Sequence, residues 1–241
     1  MRIDKRNPSE IRNVSFEPSI TLHAEGSVLV SFGLTKIICT ATVENTLPKW
    51  LQGSGKGWVT AEYSMLPRST HTRVMRDKAT NSGRSQEISR LISRSLRAVT
   101  DLRKLGERQV IIDCDVIQAD GGTRTAAITG GFVAMSLAFN QLKQQNILKE
   151  IPLKNYVAAV SVGVKEGQCL VDLNYEEDVS IETDMNFVAT SDNRLIEVQG
   201  TAEAEPFTKK ELDEMYDLAI NACKVLFQKQ HEIIGHFYPL K

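Results

Sequence analysis

One α+β domain is what the sequence predicts, on three observations: runs of β-branched residues paired as hairpins, two stretches of helical apolar spacing set between them, and no interior linker in 241 residues. The composition is 41% hydrophobic and 24% charged with a net charge of -1, which excludes disordered and fibrous classes. A chain of this length buries a sizeable core without disulfides or structural metal.

The elements follow in order. Residues 26–43 read as a hairpin that opens the sheet, with a turn at Gly33. Residues 51–57 are glycine-dense and form a loop that leads into a third strand at 58–63. Residues 70–81 are polar and basic without apolar period, so an exposed arm is expected there. From Ser85 the period changes: Ile88, Leu91, Ile92, Leu96 and Val99 share one face while Arg90, Arg94 and Arg97 share another, which predicts an amphipathic helix. A strand at 109–117 and a turn at Asp120-Gly121-Gly122-Thr123 precede residues 124–142, which are apolar almost all round and predict a buried helix. Residues 157–164 and 169–173 form a second hairpin, and 186–190 with 195–199 a third strand pair. Residues 208–230 close the chain as a helix, with Thr208 as N-cap and Glu211 at the capping-box position.

Cys39, Cys114, Cys169 and Cys223 lack the close spacing of zinc sites or redox dithiols, so reduced, buried thiols are expected. Met1 is followed by Arg2, Asp4, Lys5 and Arg6, and no run approaches the roughly 18 apolar residues of a membrane span, which predicts a cytoplasmic protein. The small net charge conceals an asymmetry. Between Arg68 and Arg108 stand eleven Lys or Arg against four acids, whereas Glu166 to Asp192 holds eight acids and no base. A basic stretch attracts polyanions, and an acidic cluster can hold a divalent cation against them. Mutual pairing or solvated faces is the competing explanation.

Four constellations carry chemistry. Gly121 and Gly122 let the backbone turn so that N–H groups converge at a helix start, an anion-favouring arrangement to which Arg124 adds a cationic fork. Arg84 also falls where a helix begins, although a cation is disfavoured at that end. Two such arginines are explained if an anion lies between them. The run from Asp172 to Asp184, with Glu176, Glu177, Asp178 and Glu182, contains no base, His or Cys, and its oxygen-only donors suit Mg²⁺ or Mn²⁺. Arg68, Arg73, Arg76 and Lys78, with His71 among them, can neutralise nucleic-acid phosphates. A capped turn, a solvated acidic loop and a merely polar loop are the structural alternatives. A P-loop fails because Gly57 follows Lys56, and the four histidines lie too far apart for a local zinc signature.

The blocks at 57–68, 83–92, 114–125, 172–178, 184–186 and 197–203 closely resemble the ribonuclease PH family, in family order from about residue 2 to about residue 230. The resemblance implies a single ribonuclease PH-like domain over 1–241, mixed β-sheets packed with helices in a β-α-β-α arrangement, assembled as a homohexamer, a trimer of dimers. It implies a phosphorolytic 3′-5′ exoribonuclease, a tRNA nucleotidyltransferase in which inorganic phosphate attacks the 3′-terminal phosphodiester and reversibly releases a nucleoside diphosphate during maturation of tRNA precursors. The family's phosphate contacts fall on Arg84, Gly122, Thr123 and Arg124, its metal carboxylates on Asp178 and Asp184, with Mg²⁺ or Mn²⁺, and its tRNA-contacting arginines on Arg68, Arg73 and Arg76. Ser85 and Ala127 stand where relatives often have Thr and Ser, and the arm before Gly83 is about two residues short. A catalytically silent ring subunit of the same fold is the rival reading, and predicts loss of the arginines or aspartates that are present here. A closer rival is an active enzyme acting chiefly on ribosomal or messenger RNA.

Overall fold

The β-branched runs form two sheets in the computed structural model, which describes residues 2–203 and 205–240. The first contains β1 (Val14–Pro18), β2 (Gly26–Phe32), β3 (Thr35–Glu44), β4 (Trp58–Met65) and β5 (Gln109–Gln118), in the order β1-β2-β3-β5-β4. Only β4 and β5 run parallel, and a parallel pair needs a crossover. That crossover contains α1 (Arg76–Asn81), α2 (Gly83–Val99) and α3 (Leu102–Leu105). After α4 (Thr123–Gln144) come β6 (Val157–Lys165), β7 (Gln168–Val171), α5 (Tyr175–Ser180), β8 (Thr183–Thr190) and β9 (Leu195–Ala202), an antiparallel sheet in the order β7-β6-β8-β9. The closing helix α6 is Lys209–Ile234 with the expected Thr208/Glu211 capping box.

The position of α4 explains its composition. It packs on β2, β3 and β5 of one sheet and on β6 of the other, so apolar side chains are needed all round. Phe132 and Phe139 are fully buried there, each worth roughly 1.5–3 kcal/mol of transfer free energy. Close approach dictates a glycine opposite: a Cβ on Gly26 of β2 would lie 2.0 Å from the Ala134 carbonyl oxygen. The buried Gln230 amide of α6 donates to Thr129 O at 3.0 Å and Val157 O at 2.9 Å, tying helix to helix and to β6.

The predicted hairpins and the three long helices are present. β1 lies outside the predicted opening hairpin; its inward Val14 and Phe16 alternate over only five residues, and Pro18 is tolerated because the strand lies at a sheet edge. The 70–81 segment is not a uniform arm, because its last six residues form α1, whose buried Ala79 packs inward beside β4. The Lys78 side chain lies outside the described residues. All four cysteines are buried and unpaired. Among the described residues no helix is long and apolar enough to cross a membrane.

Candidate active site

The turn leaving β5 sets the N-terminus of α4. Gly121 (φ 74°) and Gly122 (φ 64°) adopt left-handed conformations, and a Cβ on Gly121 would lie 2.4 Å from Leu173 O. Gly122 is the N-cap and supplies no side-chain acceptor, so the first-turn N–H groups remain available to an anion. Thr123 and Arg124 occupy that first turn. Burial raises the Tyr63 hydroxyl pKa and keeps it a donor; it donates to Thr123 Oγ1 at 2.8 Å.

Arg84, in the first turn of α2, lines the same cavity as Arg124, Glu87, Gln199, Asp184 and Asn186, a space of about 630 Å³. Thus two arginines separated by 40 positions in sequence meet over a carboxylate. Ser82 caps α2 by accepting from Ser85 N at 3.1 Å, and the Ser85 hydroxyl donates to Ala79 O. Ser85 therefore braces α1 against α2 through its hydroxyl.

The acidic run divides into two sets, which corrects the expectation that it has no bases nearby. Arg12 forks onto Asp172 through Nε and Nη2 at 3.0 and 2.7 Å, and Arg2 forks onto Glu177 through the same two atoms at 2.7 Å each. Arg6 adds a bond to Asp172 O at 3.0 Å. The N-terminal arginines therefore neutralise the structural half of the run, while Arg12 Nη1 also donates to Asp120 O at 2.5 Å and ties that half to the glycine turn. No sequence spacing reveals these pairs, because the partners lie 160 to 175 residues apart.

Of the other four acids, Glu176 lies beside Arg2 and Lys165 and Glu182 accepts from Glu166 N at 2.9 Å, which leaves Asp178 of α5 and Asp184 of β8 beside the two arginines. Burial raises the Asp178 pKa, opposed by attraction to Arg84, Arg124 and Arg12. Asp184 is pushed to about 6, first by burial and then by repulsion from Asp178 and Glu203, against the pull of Arg124 and Arg84. Its buried Oδ1 accepts no hydrogen bond among the described residues.

The arm stands apart from this cavity. Arg68, Arg73 and Arg76 are exposed; Arg68 borders a small cleft beside Asp120 and donates to His71 O at 3.2 Å. Arg76 faces a different cavity lined by Glu62, Asp113 and Asp115. Glu87, Gln199 and Tyr63 touch the site residues without having been singled out from sequence. The one available signal was Glu87 lying three positions after Arg84, on a neighbouring helical position.

A mixed fold in which two helix starts bring arginines beside carboxylates suits phosphoryl-handling chemistry, and comparison with known proteins identifies its class. The model of the 3′ exoribonuclease family, domain 1, matches residues 10–139, and that of domain 2 matches residues 155–222. Ribonuclease PH of Bdellovibrio bacteriovorus is 56% identical over 240 residues, covering 100% of this chain and 99% of that relative. The fold is shared with the Archaeoglobus fulgidus exosome solved with RNA bound to the active site (TM-score 0.81, 22% identity, 95% of this chain and 92% of that one). It is also shared with rice (Oryza sativa) Rrp46 (TM-score 0.79, 17% identity, 97% and 100%). The chain belongs to the ribonuclease PH family of 3′ exoribonucleases, whose members use phosphate as a substrate.

Proposed function

We propose that the cavity between Arg84, Arg124 and Asp184 is where inorganic phosphate attacks the 3′-terminal phosphodiester of a tRNA precursor. The observation that carries this is the meeting of two helix-start arginines over the half-buried Asp184 carboxylate. In this reading Gly122, Thr123 and Arg124 bind phosphate through backbone N–H groups, a hydroxyl and a guanidinium, and Arg84 closes the other side. A phosphate oxygen forms a bond to the terminal phosphorus, the bond to the preceding 3′ oxygen breaks, and a nucleoside diphosphate departs. The arginines hold the nucleophile in line and offset the negative charge gathered in the transition state.

The unpartnered Asp184 Oδ1 and the nearby Asp178 fit a hard divalent cation, Mg²⁺ or Mn²⁺. When bound, such an ion supplies charge stabilisation at the leaving 3′ oxygen. Arg68, Arg73 and Arg76 are proposed to contact the tRNA body, and a homohexamer built as a trimer of dimers to bring one protomer's arm toward a neighbour's site. A cytoplasmic location fits four unpaired thiols.

The test incubates a 3′-extended tRNA with and without phosphate and identifies the nucleotides released. Diphosphates are expected only with phosphate, and Arg84→Ala and Arg124→Ala are expected to lower phosphorolysis by at least about a hundredfold while remaining folded. Near-normal phosphorolysis in both variants defeats the assignment.

A further inference from the structure

We infer that Glu87 and Gln199 are positioning residues that grip one edge of the Arg124 guanidinium and leave its other edge aimed at phosphate. This rests on the phosphate reading above. Three hydrogen bonds close a triangle: Arg124 Nη1 donates to Glu87 Oε1 at 3.3 Å and to Gln199 Oε1 at 3.0 Å, and Gln199 Nε2 donates to Glu87 Oε1 at 3.2 Å. The three residues come from α4, α2 and β9, so the guanidinium is held at the junction of the helix layer and the second sheet.

The edge left open is the informative feature. Among the described residues, the hydrogen bonds of the Arg124 guanidinium all leave from Nη1, so Nε and Nη2 stay free. That Nε/Nη2 edge is the one with which Arg2 forks onto Glu177 and Arg12 forks onto Asp172, while their Nη1 groups donate to carbonyl oxygens. Arg124 has the same division of labour, with Glu87 and Gln199 in the place of the carbonyls. Arg124 lines the cavity shared with Arg84 and Asp184, and in this inference its unengaged Nε/Nη2 edge offers two parallel N–H groups to two phosphate oxygens there. A carboxylate in an anion cavity is unfavourable for phosphate by charge alone. Orientation of Arg124 explains Glu87, and Gln199 holds the Glu87 oxygen in place.

The experiment measures phosphate-saturation and RNA-saturation kinetics on a short oligoribonucleotide. Glu87→Ala and Gln199→Ala are each expected to raise the KM for phosphate about tenfold and to lower kcat by a smaller factor, with the KM for RNA changed less than about twofold. Glu87→Gln keeps an acceptor at the same position and is expected to return the phosphate KM to within about threefold of the parent. In an Arg124→Lys background, which lacks the fork, Glu87→Ala is expected to add less than about twofold. An unchanged or lowered phosphate KM in Glu87→Ala, no recovery in Glu87→Gln, or a full additional loss in the Arg124→Lys background overturns the inference. A normal phosphate KM in Arg124→Lys alone would instead overturn the phosphate assignment itself. Glu87 is partly exposed, so these variants test geometry and not folding.

Discussion

Asp113 and Asp115 project from alternate positions of β5 on the face opposite α4, with Glu62 of β4 directly beside Asp113. Burial and then repulsion from Glu62 raise both carboxyl pKa values, with Asp115 also acting on Asp113. A carboxyl that holds its proton more tightly folded than unfolded loses stability as pH rises above the ordinary carboxylate value, and recovers it below. Asp113→Asn should therefore stabilise the protein by about 0.5 kcal/mol at pH 7, a figure discounted for the half-exposed setting. The gain should vanish as pH falls through about 4. Urea unfolding at several pH values measures this, and an equal gain at every pH refutes it.

At the scale of elements, the N-terminal segment acts as a strap that ties the loop at Asp172 and α5 to the glycine turn. It is irregular, yet Arg2 and Arg12 are buried: Arg2 holds α5 through Glu177, and Arg12 holds Asp172 and, through the Asp120 carbonyl, the glycine turn. Breaking one such pair leaves a buried charge alone, so Asp172→Ala should cost roughly 3–5 kcal/mol. The Lys209–Asp213 pair on α6 is as short, at 2.6 Å, but is exposed, and Asp213→Ala should cost less than about 0.5 kcal/mol. Denaturant midpoints for the two variants make the comparison, and similar losses would show that the strap contributes no more than a surface contact. Sequence pattern could not reveal the strap, because fork-to-carboxylate pairing across the chain leaves no period.

For the molecule as a whole, we propose that residues 1–241 unfold as one unit although two family models divide the chain. Helix α4 lies within the first match yet packs against β6 of the second, and one continuous apolar core joins them. Calorimetry under conditions that keep the chains dissociated should give a single transition, with equal calorimetric and van't Hoff enthalpies. Two resolved transitions would divide the unit. The proposed ring predicts a particle six times the 26.9 kDa chain mass by light scattering, and a monomer at micromolar concentration contradicts it.

Local pattern was enough to specify the three hairpins, the amphipathic α2, the buried α4 and the capped α6, because period and capping chemistry act within a few residues. It also marked Arg84 and Arg124 at two helix starts and the acidic run from Asp172 to Asp184 as a whole, whereas Asp178 and Asp184 were singled out within that run by the family resemblance. Only the tertiary structure decided that the two arginines share a cavity, that Asp172 and Glu177 are neutralised by the N-terminus, and that Glu87 and Gln199 hold Arg124 by one edge. Those relations depend on which distant segments the sheets and α4 bring within hydrogen-bond reach, a distance of about 3 Å that no spacing along the chain encodes.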